Sequence, residues 1–108
     1  MRRAAKVDAN HAEIVKALRQ MGCTVQPLHT VGDGCPDLLV GAFGITLLVE
    51  VKDGKKPPSA RQLTPDQRVW HRNWTGGPLA IVTDMDGAIA VVNTCRRAKC
   101  KELEKEQG

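Results

Sequence analysis

Hydrophobic and polar residues recur along this chain at two periods, which separate predicted helices from predicted strands. Apolar residues at helical spacing predict a first helix over residues 10–21, with Asn10 as its cap and Gly22 as its end. The segment TPDQ combines a capping threonine with a proline at the first helical position, and so predicts a second helix over residues 64–74. A charged stretch predicts a terminal helix over residues 94–105.

Short apolar runs between turn-forming residues predict five strands. They cover residues 24–28, 37–42, 45–52, 79–83 and 88–92. The order of elements is therefore α-β-β-β-α-β-β-α, which predicts an α/β fold with a mixed central β-sheet flanked by helices. The second and third strands form a predicted hairpin about the segment GAFG, and their near-continuous apolar sequence predicts that both faces are covered.

Composition favours one domain and a reducing environment. With 108 residues, of which 42% are hydrophobic, the chain predicts a single domain over residues 1–108, with a basic leader at 1–7 and a charged C-terminal helix at 93–108. A formal charge of +4 favours a polyanionic partner only mildly. We expect no signal peptide and no membrane span, and four cysteines without a C-x-x-C pair indicate reduced thiols in a cytoplasmic protein. A zinc site built on Cys95 and Cys100 has poor spacing.

Three ionisable residues fall within the predicted hairpin. Because side chains alternate along a strand, Glu50 and Lys52 share one face of the third strand. Folding the hairpin brings Asp37 opposite either Val49 or Glu50, and a register change of one residue would put Asp37 on the wrong face. In the favourable register the two carboxylates meet, with Lys52 beside them.

This set of residues suits a divalent metal ion. Two carboxylates, the backbone carbonyl of Val51 and waters form the oxygen ligands that Mg²⁺ or Mn²⁺ prefers. Such an ion polarises a phosphoryl oxygen and lowers the pKa of a bound water, while Lys52 would offset charge on the phosphate. The ordinary alternative is a Glu–Lys pair at the end of an edge strand, where charges prevent aggregation. The turn GCPD favours the metal site, because its glycine and proline set the direction in which Asp37 enters its strand.

These residues resemble the PD-(D/E)XK nuclease superfamily, and within it the virus-type replication-repair nuclease (VRR-NUC) branch. GCPDLLV is similar to the first motif, LLVEVK to the second, QLTPDQRVW to the branch's glutamine segment and WTGGPLAIVTD to its following strand. The likeness covers about residues 11–92. It implies a restriction-endonuclease-like core and metal-dependent cleavage of phosphodiester bonds, with Asp37 and Glu50 on the metal and Lys52 as the catalytic lysine.

The resemblance implies roles for two further residues, each of which has an ordinary alternative. Gln67 matches a glutamine that supports catalysis from the helix after the site, but it would also complete a capping box with Thr64. Glu13 matches an acidic residue that contacts the metal or its waters, but its place after Asn10 would also support the start of the first helix.

Basic residues are candidates for contacts with DNA phosphates. They are Arg2 and Arg3 in the leader, Lys55, Lys56 and Arg61 after the third strand, and Arg68 and Arg72 on one face of the second helix. The alternative is that scattered lysines and arginines only solvate the surface. Because the chain has one phenylalanine, two tryptophans and no tyrosine, we expect Trp70 and Trp74 in the core and no stacking platform for bases.

The sequence therefore predicts an Mg²⁺- or Mn²⁺-dependent endonuclease whose partner is DNA. Stand-alone viral members of the branch are similar to Holliday-junction resolvases and are homodimers, which implies cleavage of four-way junctions by a dimer, of phage origin, in the host cytoplasm. A flap, nick or general duplex nuclease remains open, as does a protein of this fold that binds branched DNA without cutting it. No glycine-rich phosphate loop is present, so no nucleotide cofactor is predicted.

Overall fold

A computed structural model describes residues 7–107 as a four-stranded sheet with helices on both faces. The elements are α1 (His11–Gln20), β1 (Thr24–Pro27), β2 (Leu38–Ala42), β3 (Ile45–Val51), a short 3-10 helix (Pro58–Arg61), α2 (Pro65–Asn73), β4 (Leu79–Val82) and α3 (Met85–Gln107). The predicted leader contacts of Arg2 and Arg3 lie outside the described residues. No helix among residues 7–107 is long and apolar enough to cross a membrane.

The sheet is mixed, as predicted. Its strand order is β1-β2-β3-β4, in which β1–β2 and β2–β3 are antiparallel and β3–β4 is parallel. Parallel neighbours need a crossover connection, and α2 lies within the one that joins β3 to β4. The predicted fold class, a mixed sheet flanked by helices, is therefore confirmed.

A two-residue turn sets the register of the central hairpin. Phe43 and Gly44 both have positive φ, at 53° and 79°, as hairpin turns that follow the natural twist of the strands require. This turn pairs Ala42 with Ile45 and, at the far end of the hairpin, Leu38 with Val49.

The core lies on one face of the sheet, beneath α1 and α3. It is built from aliphatic residues that alternate along the strands or recur along the helices: Ile14, Val15, Leu18, Val25, Leu38, Val40, Leu47, Val49, Val51, Val82 and Val92. The opposite face of β3 is also covered, since residues 47–51 are all buried, as predicted. The same prediction is wrong for β2, because Leu39 is 39% exposed and only one face of that strand is covered.

The predicted fifth strand is wrong. Residues 88–92 lie inside α3, which begins at Met85 rather than near Thr94. The reason is a helix cap: Asp84 Oδ1 accepts a hydrogen bond from the backbone N–H of Gly87 at 2.7 Å. The segment that was predicted as a turn therefore starts a helix.

Helical spacing accounts for the burial of this segment. Ala88, Val92 and Cys95 recur on one face of α3 and are buried against the sheet, whereas Ile89 is 38% exposed. A short apolar run contains too few residues for its hydrophobic period to show whether it forms a strand or a helix.

Two further expectations are corrected by the packing. Asn10 precedes α1 but makes no side-chain capping bond; its Nδ2 instead donates to the carbonyl oxygens of Lys52, at 3.2 Å, and Thr83, at 3.0 Å. It thereby ties the start of α1 to the ends of β3 and β4. Trp70 and Trp74 stack on each other with ring centroids 5.2 Å apart, but outside the core, and Trp74 is 40% exposed.

Candidate metal centre

The hairpin brings two carboxyl groups together in the favourable register. Because Leu38 pairs with Val49, Asp37 is aligned with Glu50. The two side chains are in hydrogen-bond contact, and as whole residues Asp37 and Glu50 are 6% and 1% exposed. Asp37 Oδ2 also accepts a hydrogen bond from the backbone N–H of Val51 at 2.8 Å, which fixes its orientation. The register that the sequence left open is therefore the one that joins the two acids.

Burial changes the protonation of Glu50. Desolvation raises the pKa of its carboxyl group to about 9, and the hydrogen bond and negative charge of Asp37 act in the same direction. The positive charge of Lys52 lowers it, but by less. Without a cation, Glu50 is therefore protonated at neutral pH, and a bound dication would take the place of that proton.

Lys52 lies on the same face of β3 and is held by α2. Its side chain is 8% exposed, and Nζ donates to Oε1 of Gln67 at 2.7 Å. The same oxygen accepts from the backbone N–H of Thr64 at 2.9 Å, and the hydroxyl of Thr64 accepts from the N–H of Gln67. Gln67 therefore completes the capping box and accepts a hydrogen bond from Lys52, while its support of catalysis stays a prediction.

These side chains line one cavity of about 300 Å³. The hairpin contributes Asp37, Glu50, Val51 and Lys52, and the first turn of α2 contributes Gln67. The glycine-rich loop at residues 32–35 forms a further part of the wall. A space of this size beside two acids is large enough for an ion with its waters and part of a ligand.

The donor set fits a hard dication that keeps other ligands. Among residues 7–107 there is no group of three or more His, Cys, Asp or Glu side chains arranged to hold a metal ion. Within the same range, Glu50 Oε1 is buried without a hydrogen-bond partner, which is an unusual state for a carboxyl oxygen. Mg²⁺ and Mn²⁺ commonly bind through one or two carboxylates plus water and phosphate, whereas a structural zinc site needs four protein ligands. Asp37 and Glu50, with the nearby backbone of Val51, therefore suit Mg²⁺ or Mn²⁺.

The structure does not bring Glu13 to this cavity. Glu13 is exposed in the first turn of α1 and lines a separate depression with Asp84 and Asp86. Its position agrees with the alternative reading, support for the helix start.

Asp8, which the sequence reasoning missed, lines the metal cavity instead. Its charge contributes to the raised pKa of Glu50, and its Oδ1 pairs with Nζ of Lys56 at 3.0 Å. Asp8 precedes α1 in a stretch without any periodic pattern, so no sequence signal pointed to it.

His71 is the second residue that sequence reasoning missed. Its Nε2 lies 3.5 Å from Glu50 Oε1, and the two side chains are 12% and 2% exposed. Burial, followed by the positive charge of Lys52, lowers the pKa of His71, so the ring is neutral at neutral pH. Its position four residues after Gln67 puts it on the same face of α2, and that spacing was a usable signal.

The predicted DNA-contacting residues have different surroundings. Lys55, Arg68 and Arg72 are exposed, and Arg68 Nε donates to the carbonyl of Leu63 at 3.3 Å. Arg61 is half-buried and lines the depression that contains Glu13. Lys56, which was predicted to bind phosphate, is engaged with Asp8.

We expect Gly34→Ala to disturb the site through α2. Gly34 has φ of 84°, and a Cβ there would lie 2.5 Å from the backbone oxygen of Asp66, in the first turn of α2. The left-handed conformation costs an L-residue about 1–2 kcal/mol, and the overlap should add about 1–3 kcal/mol. Urea denaturation would measure the loss of stability.

Gly22→Ala is the matched control. Gly22 has a similar φ of 89°, but no described atom lies within 4 Å of the position its Cβ would take. This variant should therefore show the backbone cost alone. Equal losses in the two variants would mean that the loop at residues 32–35 does not support α2.

The comparisons with known proteins agree with this architecture. No family model and no curated protein matches the sequence. Among solved structures, a chain described as a VRR_NUC domain superposes with a TM-score of 0.59 at 24% sequence identity, over 80% of this chain and 97% of that chain. Similarity at this level of identity establishes the fold rather than the activity. The fold that the resemblance implies is thus confirmed: the protein has the α/β fold of a VRR_NUC domain.

Proposed function

We propose that this protein is a metal-dependent nuclease that hydrolyses phosphodiester bonds in DNA. The observation that carries the proposal is the contact between two buried carboxyl groups, Asp37 and Glu50, beside the buried Lys52 in one cavity. Such a cluster is unfavourable unless a cation and its ligand compensate the charges. The similar fold of a VRR_NUC domain supports the same activity.

In the proposed mechanism, Asp37 and Glu50 hold Mg²⁺ or Mn²⁺, with the carbonyl of Val51 and waters as further ligands. When bound, the ion supplies a Lewis acid for a phosphoryl oxygen and a water of lowered pKa. Lys52 has three N–H donors, of which Gln67 engages one. The remaining donors are available to stabilise charge on the phosphate during cleavage.

Nearby basic side chains would hold the DNA backbone. Lys55, Arg68 and Arg72 are exposed and can reach phosphates without losing an ion pair given by the structure. Lys56 must first leave Asp8, but this pair is 47% exposed on the lysine side and such pairs stabilise little. Release of Asp8 would add a third acidic group at the metal.

Four-way junctions are the substrate that we propose, and a homodimer is the acting form. Resolution of a junction requires two cuts on opposed strands, and a two-fold dimer supplies two sites in that relation. The stand-alone viral proteins that the sequence resembles motivate this choice over other branched substrates.

We expect labelled four-way junctions to be cut in Mg²⁺ or Mn²⁺, on two opposed strands, and to remain intact in EDTA. The reason is that the bound ion would supply the water of lowered pKa, so the nucleophile depends on the ion. A panel of junction, flap, nicked and linear duplex substrates, read on denaturing gels, measures this. Light scattering would show twice the chain mass of 11.8 kDa.

Other outcomes of the panel identify the alternatives. Equal cleavage of linear duplex would indicate a general nuclease, and preferential flap or nick cleavage a repair-type specificity. Tight junction binding without cleavage in either metal would contradict the proposal and indicate a non-cleaving DNA-binding protein.

A further inference from the structure

A histidine lies close to Oε1 of Glu50, which is one of the two proposed metal ligands. His71 Nε2 and Glu50 Oε1 are 3.5 Å apart, and both side chains are nearly inaccessible to solvent. Within residues 7–107 neither atom has a hydrogen-bond partner. Two adjacent buried polar atoms that both lack partners indicate a contact completed in another state of the site.

Two contacts join α2 to the end of β3, one between Gln67 and Lys52 and one between His71 and Glu50. Gln67 and His71 are one helical turn apart, and Glu50 and Lys52 are neighbours on one face of the strand. Gln67 and Lys52 are already joined, since Lys52 Nζ donates to Gln67 Oε1 at 2.7 Å. His71 Nε2 and Glu50 Oε1 need to approach each other by only a few tenths of an ångström to reach the roughly 2.7–3.2 Å of a hydrogen bond.

The ring of His71 is held in this orientation. Trp70 packs against it edge to face, with ring centroids 6.4 Å apart and an interplanar angle of 74°. Trp70 therefore restricts rotation of the imidazole from one side.

We propose that His71 is a positioning residue, whose Nε2–H donates to Glu50 Oε1 and thereby directs the other carboxylate oxygen to the bound ion. The inference rests on the proposed function, because Glu50 can direct an oxygen to an ion only if it is a metal ligand. A carboxylate fixed by a hydrogen bond to one oxygen loses less freedom on binding metal, and removal of such a bond typically weakens metal binding by about 10–100-fold. His71 itself neither binds the ion nor touches DNA.

The test is Mn²⁺ binding by the DNA-free protein, measured by titration calorimetry. We expect His71→Ala to weaken Mn²⁺ binding by about 10–100-fold. His71→Gln should restore most of the affinity, because its amide N–H can donate from nearly the same place as Nε2. Asn73→Ala, a change at an exposed residue of the same helix, is the control and should leave affinity unchanged.

Cleavage assays provide a second readout. In His71→Ala the Mn²⁺ concentration for half-maximal cleavage should rise by the same factor, while the rate at saturating Mn²⁺ stays close to that of the wild type. Urea denaturation of each metal-free variant shows whether it is folded.

Three results would overturn the inference. Unchanged Mn²⁺ affinity in a folded His71→Ala variant would show that the contact is only packing. Equal weakening in His71→Ala and His71→Gln would show that the imidazole acts in another way, such as direct ligation. If the wild-type protein binds no Mn²⁺, the proposed function fails together with this inference, whereas normal wild-type binding with an unaffected alanine variant defeats the inference alone.

Discussion

Glu50→Gln should abolish DNA cleavage and leave DNA binding within about a factor of three, because phosphate contacts determine most of the affinity. The amide has the shape of the protonated acid and can still donate to Asp37, so the hairpin keeps its geometry. It is, however, a poor ligand for a dication. Loss of several kcal/mol of metal-derived stabilisation of the transition state corresponds to a rate about 10³-fold lower or more. Single-turnover cleavage and gel-shift titrations in Ca²⁺ or EDTA would measure the two effects separately.

Glu104→Gln is the matched control for this experiment. Glu104 is exposed near the end of α3, so its replacement removes the same charge far from the cavity. Its cleavage rate should equal that of the wild type. Cleavage by Glu50→Gln at the wild-type rate would remove Glu50 from the site, and an equal loss in both variants would indicate an effect of net charge.

The second large effect is a loss of stability with rising pH in the metal-free protein. The carboxyl group of Glu50 has an ordinary pKa of 4.5, and the fold raises this pKa to about 9. Between these values the folded state holds a proton that the unfolded state has released. The free energy of unfolding therefore falls as pH rises, by about 1.4 kcal/mol per pH unit. Glu50→Gln cannot titrate, so its profile should be nearly flat and its stability at pH 8 higher than that of the wild type.

The interval from pH 7 to about 8 isolates this effect, because above it the thiols of Cys23 and Cys35, whose pKa values burial raises from 9.0, also make stability fall as pH rises. The pKa values of His11 and His71 are lowered from 6.5 by burial, so both histidines are neutral in both states above pH 7. Below that interval the titration of these histidines makes the free energy of unfolding increase as pH rises, which opposes the effect of Glu50. Urea denaturation in EDTA at several pH values gives the profiles. Parallel profiles for wild type and Glu50→Gln would contradict the raised pKa.

Much of the site was predictable because it depends on rules that act over a few residues. Strand alternation put Glu50 and Lys52 on one face, and the GAFG turn defined a hairpin that could hold Asp37 opposite Glu50. The sequence alone left two registers, because a shift of one residue changes neither the turn composition nor the apolar pattern. The observed register follows from the positive φ of both Phe43 and Gly44.

The residues that sequence reasoning missed depend on contacts between distant segments. Asp8 reaches the cavity from before α1, and His71 reaches Glu50 through the docking of α2 on β3. Neither distance follows from spacing along the chain, although the interval between Gln67 and His71 did place them on one face. The error at residues 88–92 has a local cause: the segment DMDG contains the aspartates and glycine that are common in turns, but its Asp84 caps a helix instead.

One shared atom makes the position of Lys52 depend on the integrity of a helix end. The amide oxygen of Gln67 has two lone pairs, and both are occupied, one by Thr64 and one by Lys52. Terminal turns of helices open with little free energy, far below that of global unfolding. Each such opening of α2 would also release the ammonium group from its partner. If Lys52 acts in the proposed cleavage, mild heating or low denaturant would stop that cleavage while the sheet is still intact, so inactivation would precede the loss of circular dichroism.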